Sequence, residues 1–182
     1  DPQAVATNQS ALARASGAQP IYLNQVHGAR VVRLSRADLA PDATPLMADA
    51  SVTTEPGIAC AVQVADCLPV LLAAPGGSAV GAAHAGWRGL ALGVLEATVQ
   101  ALCSAANCEP AQVQAWLGAC IGPRRFEVGA DVLQAFGVDA AHADAARFQL
   151  QRPGKWLANL PLLARDRLAA AGLSRISGGN WC

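Results

Sequence analysis

Two residues that could perform chemistry stand near the ends of one apolar stretch, VADCLPVLLAAPGGSAVGAAHAGWRGL, which covers residues 64–90. Cys67 lies near its start and His84 near its end. A thiolate and an imidazole together can bind a zinc or copper ion. The same pair can supply the nucleophile and the general base of a thiol enzyme. Either chemistry requires a fold that brings the two side chains together.

A pair of glycines in the middle of this stretch suggests how the fold does so. Gly76-Gly77 favours a two-residue turn between antiparallel strands, and the numbers of paired residues then add up to 153. Cys67 would face Gly86, and His84 would lie two residues away on the same face. Such diagonal neighbours have Cα atoms about 7–8 Å apart, which two ligands of one ion can bridge. A turn shifted by one residue would place them on opposite faces.

A structural role is the simpler interpretation of Cys67, because unpaired cysteine is among the most buried residue types. The same interpretation applies to four other cysteines: Cys60, Cys103, Cys108 and Cys120. A lone His84 is likewise more often a hydrogen-bonded core residue. The neighbouring residues favour a functional site, because they place polar and charged groups at both strand ends: Asp66 precedes the cysteine, and Trp87-Arg88 follows the histidine. Functional side chains are commonly found at such strand ends.

The composition indicates what kind of scaffold positions these residues. The chain has 182 residues, of which 53% are hydrophobic and only 14% are charged. No linker, repeat or low-complexity tract divides it, so we expect one domain with a large core. Alternating strand and helix patterns predict an α/β (α+β) layered sandwich, with a mixed β-sheet flanked by helices.

The individual elements follow from turn residues and periodicity. Asp1-Pro2 is typical of a helix start, and Gly17 is expected to end that helix near residue 15. Leu90, Val94, Leu95, Thr98 and Leu102 have helical spacing. Strands are predicted at 21–26, 29–34, 50–54, 64–72, 79–85, 113–118 and near Ile176, with the 58–72 run buried on both faces. Further helices are predicted at 130–136 and 156–171.

Charge and hydropathy exclude several classes of partner. Thirteen basic and thirteen acidic residues cancel without forming runs, which argues against nucleic acid and anionic membranes. The apolar runs are too short for a membrane span, and no signal peptide is visible. Six cysteines without CxxC pairs indicate a reduced, cytoplasmic setting rather than a disulfide scaffold. We therefore expect a small-molecule partner.

Four segments carry a resemblance to a known family: NQVHG at 24–28, ADCLPVLL at 65–72, HAGWRGL at 84–90 and IGPRRFEVG at 121–129. They resemble the signature segments of the YfiH-type family, long labelled multicopper polyphenol oxidase or laccase-domain proteins. The resemblance implies a zinc-dependent purine nucleoside phosphorylase acting on adenosine, inosine or methylthioadenosine, with adenosine deaminase activity alongside. It also implies that residues 1–182 form a single YfiH-like domain lacking native residues at both ends.

The resemblance assigns the metal ligands, and side-chain chemistry suggests the other site residues. The family's metal ligands fall on His27, Cys67 and His84, a donor set that suits zinc and leaves a position open for water or substrate. The remaining expected site residues are the phosphate or substrate ligands Arg88 and Gln25, and the catalytic or orienting carboxylates Asp66 and Glu127. The planar guanidinium of Arg88 suits a bidentate oxyanion, although a surface salt bridge is the competing interpretation. The carboxylates could instead only cap turns.

Three other functions remain open from the sequence. A laccase needs far more histidines than the three present, His27, His84 and His142, although a single copper ion could bind. A thiol hydrolase or deamidase would use Cys67 as nucleophile and His84 as base, and should keep its activity in chelator. A binding module without catalysis would have neither bound metal nor turnover.

Overall fold

A computed structural model describes residues 1–40 and 42–182 and has eleven strands and five α-helices in these ranges. The strands are β1 (Gln19–Tyr22), β2 (Val31–Arg33), β3 (Ala50–Thr53), β4 (Ile58–Ala61), β5 (Leu68–Ala73), β6 (Val80–Ala85), β7 (Gln114–Leu117), β8 (Glu127–Val128), β9 (Phe148–Arg152), β10 (Lys155–Ala158) and β11 (Arg175–Gly178). The helices are α1 (Pro2–Ser16), α2 (Trp87–Ala91), α3 (Val94–Ala106), α4 (Ala130–Ala135) and α5 (Leu160–Ala170). The predicted α/β class with a mixed sheet is confirmed, and the chain forms one compact domain.

The central feature is a six-stranded sheet in the order β11-β7-β5-β6-β3-β2. Its two outer pairs are parallel, and the three inner pairings are antiparallel. A two-stranded parallel sheet, β1-β4, and a three-stranded antiparallel sheet, β8-β10-β9, complete the architecture. Cys67 directly precedes the inner strand β5, and His84 lies near the end of its neighbour β6.

The β5–β6 hairpin has the predicted register. Leu68 pairs with Ala85 and Pro69 with His84, so that the residue numbers of each pair add up to 153. Gly76 and Gly77 have φ values of 62° and 71°, which glycine adopts without strain, and they reverse the chain between the two strands. The expected position of Cys67 opposite Gly86 follows directly from this register.

The core lies between the six-stranded sheet and the helices. The residues predicted for one helical face, Leu90, Val94, Leu95, Thr98 and Leu102, are all buried. They occupy two helices rather than one, because Gly93 has a φ of 91° and breaks the run between α2 and α3. Helix α3 packs against β6, β3 and β2, and α5 lies beside it. Strand β4 approaches β3 and β6 as well; Ser51 of β3 lies beside Cys60 of β4.

Several predicted boundaries are wrong. The segment 64–67 is a loop, so the strand begins at Leu68 rather than at Val64. That strand is not buried on both faces, since Leu71 is 44% exposed. The strand expected at 21–26 lies earlier, at 19–22. Trp156 belongs to β10 and not to a helix. Helix α5 begins only after Asn159, whose side chain caps it by accepting a hydrogen bond from Leu162 N–H.

The first helix stands apart from the core. Asp1 caps it by accepting from Gln3 N–H at 2.9 Å, and Gly17 ends it with a φ of 66°, so both predicted boundary signals are confirmed. None of its residues is buried. In the part of the chain that the structure describes, no helix combines the length and the hydropathy that a membrane crossing needs.

Candidate metal centre

His27, Cys67 and His84 converge. One potential ligand atom from each side chain lies within 4.8 Å of the others, and within residues 1–40 and 42–182 this is the one such group of three or more His, Cys, Asp or Glu side chains. His84 is buried, Cys67 is half-buried and His27 is exposed, so the cluster extends from the sheet to the surface. The rings of His27 and His84 meet edge to face with centroids 4.7 Å apart.

The hairpin positions the cysteine and one histidine. Cys67 immediately precedes β5 and His84 lies within β6, so the pairing of Pro69 with His84 places Cys67 opposite Gly86. Gly86 is needed here, because a Cβ at this position would lie 2.7 Å from Cys67 Sγ and 3.2 Å from His27 Cδ2. The absence of a side chain at Gly86 therefore leaves room for the Cys67 thiol.

A buried carboxylate positions the other histidine. Asp49 is fully buried immediately before β3, and its carboxylate accepts from the backbone N–H groups of Val26 (3.2 Å), His27 (2.8 Å) and Gly28 (2.7 Å). These bonds hold a loop in which His27 has a φ of 60°, a left-handed conformation that is uncommon for residues other than glycine.

The same carboxylate contacts His84. Its Oδ1 atom lies 2.9 Å from His84 Nδ1, so the imidazole N–H is directed at Asp49 and Nε2 is free to act as a ligand. Burial alone would raise the pKa of Asp49, but the hydrogen bonds from His84 and from the loop amides outweigh it and lower that pKa. The sequence analysis missed Asp49; its signal was a single acidic residue in the apolar run ADASV.

Two further hydrogen-bond links tie the site loops together. The side-chain amide of Gln25 donates to the carbonyl of Gln63 and accepts from its N–H, both at 2.8 Å. The loop that carries His27 is thereby fixed to the loop that leads to Cys67. The carbonyl of Asp66 accepts from Ile121 N–H at 2.9 Å, which ties the Cys67 loop to the segment after β7.

The donor set fits a transition-metal ion. Burial, together with the negative charges of Asp66 and Asp49, raises the pKa of the Cys67 thiol. A coordinated cation reverses this preference, since zinc deprotonates a thiol that binds it. Two imidazoles and one thiolate are ligands that both zinc and copper accept, and three protein ligands leave one position open.

The other predicted site residues lie outside the three-residue cluster. Arg88 is exposed, with its guanidinium 4.6 Å from the centre of the Trp87 ring, and it forms no salt bridge to any residue in the described ranges. Glu127 is bound instead to Arg152 at 2.8 Å. Asp66 is exposed beside Cys67. His142 pairs with Asp139 on the surface.

A wide cavity of about 970 Å³ opens beside the segment that Asp66 anchors. Residues around it include Gly122, Arg124, Arg125, Asn159, Arg165 and Trp181. Arg165 is used structurally, since its guanidinium donates to the carbonyls of Ile176 and Gly178. Arg124 and Arg125 are exposed and give this surface a basic character.

Known proteins are similar to this chain in both sequence and fold. A purine nucleoside phosphorylase of Pseudomonas aeruginosa is 44% identical over 182 residues, which span all of this chain and 71% of the relative. The purine nucleoside phosphorylase YfiH of Escherichia coli K12 is 49% identical over 164 residues, or 90% of this chain and 63% of the relative. A solved structure of a Neisseria meningitidis protein has a TM-score of 0.87 at 43% identity and covers all of this chain and 72% of its own.

The family resemblance noted in the sequence is therefore confirmed over the whole chain. Residues 1–182 match the family described as multi-copper polyphenol oxidoreductase laccase, to which this chain belongs.

Proposed function

We propose that this protein is a metal-dependent purine nucleoside phosphorylase that cleaves the N-glycosidic bond of adenosine, inosine or methylthioadenosine with inorganic phosphate. The observation that carries the proposal is the convergence of His27, Cys67 and His84 in front of the buried Asp49. The names of the relatives at 44% and 49% identity supply the reaction.

We propose zinc as the ion that His27, Cys67 and His84 hold. When bound, it would supply a Lewis acid that stabilises negative charge on phosphate or water. Asp49 prepares the site for it, because its carboxylate fixes both the ring orientation of His84 and the loop of His27. The exposed position of His27 leaves the cluster accessible from solvent.

The surrounding residues would position the reactants. In phosphorolysis a phosphate oxygen forms a bond to the ribose C1′ atom while the bond from C1′ to the purine nitrogen breaks. Arg88 would bind the phosphate, because its guanidinium is exposed and already held against Trp87. Asp66 directly precedes Cys67, and its carboxyl group in the protonated form would donate the proton that the departing purine nitrogen requires. Glu127 would form a hydrogen bond to the ribose or the base only after its ion pair with Arg152 breaks.

Product analysis tests this proposal directly. The protein is incubated with each nucleoside, with and without phosphate, and the products are separated. Release of free purine that requires phosphate, together with ribose 1-phosphate, supports phosphorolysis. Conversion of adenosine to inosine without phosphate would identify an adenosine deaminase activity. Absence of both reactions in zinc-loaded protein would contradict the proposal.

A thiol hydrolase is the second candidate, because Cys67, His84 and Asp49 together have the composition of a nucleophile, a base and an orienting acid. The raised pKa of Cys67 argues against it, since such enzymes need a thiolate. Alkylation with and without added zinc, together with activity in chelator, separates the two. A cysteine that binds zinc should be protected from alkylation by added zinc, whereas a nucleophilic cysteine should react readily in chelator and the enzyme should remain active without metal.

The family description also suggests an oxidase, and assays with added copper instead of zinc test that activity.

A further inference from the structure

The C-terminal end of α3 brings two cysteines together, Cys103 and Cys108, neither of which is a proposed metal ligand. Asn107 has a φ of 50° and ends the helix in the left-handed conformation. The N–H groups of Asn107 and Cys108 both point to the carbonyl of Cys103, at 3.1 Å for Cys108. In this type of helix ending the residues that correspond to 103 and 108 face each other across the turn.

The two cysteines are joined through the backbone and are accessible. The Cys108 N–H donates to the Cys103 carbonyl, and neither residue is fully buried. Both line a cavity of about 450 Å³ on the surface, together with Gln100, Ser104 and Glu109. A small thiol or disulfide in solution can therefore reach them.

We propose that Cys103 and Cys108 form a reversible disulfide by exchange with low-molecular-weight disulfides such as oxidised glutathione. The helix ending favours the bond, because the hydrogen bond from Cys108 N–H to the Cys103 carbonyl brings the two residues to opposite sides of one turn. The residues around these two cysteines include none of those proposed for the nucleoside chemistry, so this proposal does not depend on that function.

The exchange balances as two substitution steps. The thiolate of Cys108 attacks one sulfur of the small disulfide, forms a mixed disulfide and releases one small thiol. Cys103 then attacks the Cys108 sulfur, forms the protein disulfide and releases the second small thiol. The two protein thiols are oxidised, the small disulfide is reduced, and the two protons pass to the released thiols.

The order of the two steps follows from the surroundings of Cys103. Burial, followed by the charge and the hydrogen bond of Cys108, raises the pKa of Cys103 to about 11. Cys103 therefore remains protonated as long as Cys108 carries the charge. Attack on the external disulfide is expected to begin at Cys108, and Cys103 acts as the resolving thiol.

Mass spectrometry of the whole protein after exposure to oxidised glutathione tests the proposal. Free thiols are blocked with N-ethylmaleimide, and digestion by trypsin and chymotrypsin after Arg88 and Trp116 separates these two cysteines from Cys67 and Cys120. The peptide that contains both should lose the mass of two hydrogen atoms and carry no maleimide. Addition of dithiothreitol should restore two maleimide-reactive thiols.

Three variants make the test specific. Cys103→Ser should accumulate a glutathione adduct at Cys108, because no second thiol remains to resolve the mixed disulfide, and Cys108→Ser should form no bridge at all. Cys60→Ser removes another half-buried cysteine and should leave the bridge unchanged. Maleimide on both residues after oxidation would overturn the proposal. So would a bridge that forms as fast in urea as in the folded protein, because the helix ending would then contribute nothing.

Discussion

At the scale of single residues, Asp49 is the side chain on which the candidate centre most depends. One carboxylate accepts hydrogen bonds from three backbone amides of the His27 loop and from the His84 ring. It therefore links two of the three proposed ligands, although it is not expected to touch the ion. Its position explains how an exposed loop histidine can be held next to a buried strand histidine.

We predict that Asp49→Asn lowers both stability and metal affinity. The amide loses the charge and presents an N–H₂ group to N–H donors, so we expect a loss of about 2–3 kcal/mol in the free energy of unfolding. Metal affinity should fall by about 10–100-fold, as for other groups that orient metal ligands. Urea unfolding and metal titration measure the two effects. The exposed Asp131→Asn is the control, and equal behaviour of both variants would contradict the assignment.

The prediction for Cys67 separates a ligand from a structural cysteine. Cys67→Ser should lose most of its bound zinc and its phosphorolysis, because a serine hydroxyl remains protonated at neutral pH and binds zinc poorly. The free energy of unfolding of the metal-free protein should change by only about 1 kcal/mol. Zinc content, activity and melting temperature are measured on one preparation. Cys60→Ser should retain metal and activity, whereas full zinc occupancy in Cys67→Ser would show that Cys67 is not a ligand.

At the scale of elements, the register of the β5–β6 hairpin sets the geometry of the centre. We predict that Gly86→Ala disrupts it, since the added Cβ would lie 2.7 Å from Cys67 Sγ. Metal affinity should fall, and the variant should be destabilised by about 1–3 kcal/mol, which is typical of overpacking. Thermal unfolding and metal titration are the measurements.

A double variant tests the cause of that loss. In a Cys67→Ala background the closest clashing atom is absent, so the Gly86→Ala substitution should cost much less stability. The remaining close contact is with the exposed side chain of His27, which can move. An equal cost in both backgrounds would place the strain elsewhere in the hairpin.

The hairpin also shows how far sequence reasoning extends in this chain. Two glycines in an apolar run were sufficient to predict the register of β5 and β6, because their turn fixes the pairing of the strands it joins. The convergence of Cys67 and His84 followed from that register. The carboxylate behind them could not be predicted, because Asp49 reaches His84 through the β3–β6 pairing, which no local turn specifies.

The missed strands have a similar cause. Strands β8, β9 and β10 form a small sheet in which FQLQR is largely exposed, and its apolar–polar alternation spans only four residues, the shortest run that indicates a strand. The Glu127–Arg152 ion pair within this sheet was equally hidden, since the partners are 25 residues apart. Local patterns therefore predicted the inner hairpin and α3 well, and contacts between distant segments poorly.

At the scale of the whole molecule, the three proposed ligands come from separate segments that only the native fold assembles. An ion at this site should therefore stabilise the folded state. With free zinc at 100 times Kd the gain is about 2.7 kcal/mol, or roughly 5–10 °C in Tm for a chain of this size. We predict that chelator lowers Tm by this amount in the parent protein and leaves Cys67→Ser unchanged. A parent Tm that is insensitive to chelator and to added zinc would contradict a metal centre here.

The order of the ligands along the chain also has a kinetic consequence. Cys67 and His84 are joined by a single hairpin, whereas His27 reaches them through the parallel pairing of β2 with β3. Closing a hairpin is faster than forming a parallel pair across a longer loop. During refolding, the thiolate and one imidazole should therefore meet first, and the His27 loop should dock last. A metal ion present from the start of refolding should bind weakly at first and exchange with ions in solution. It should resist this exchange only after the slowest refolding phase, in which the His27 loop docks.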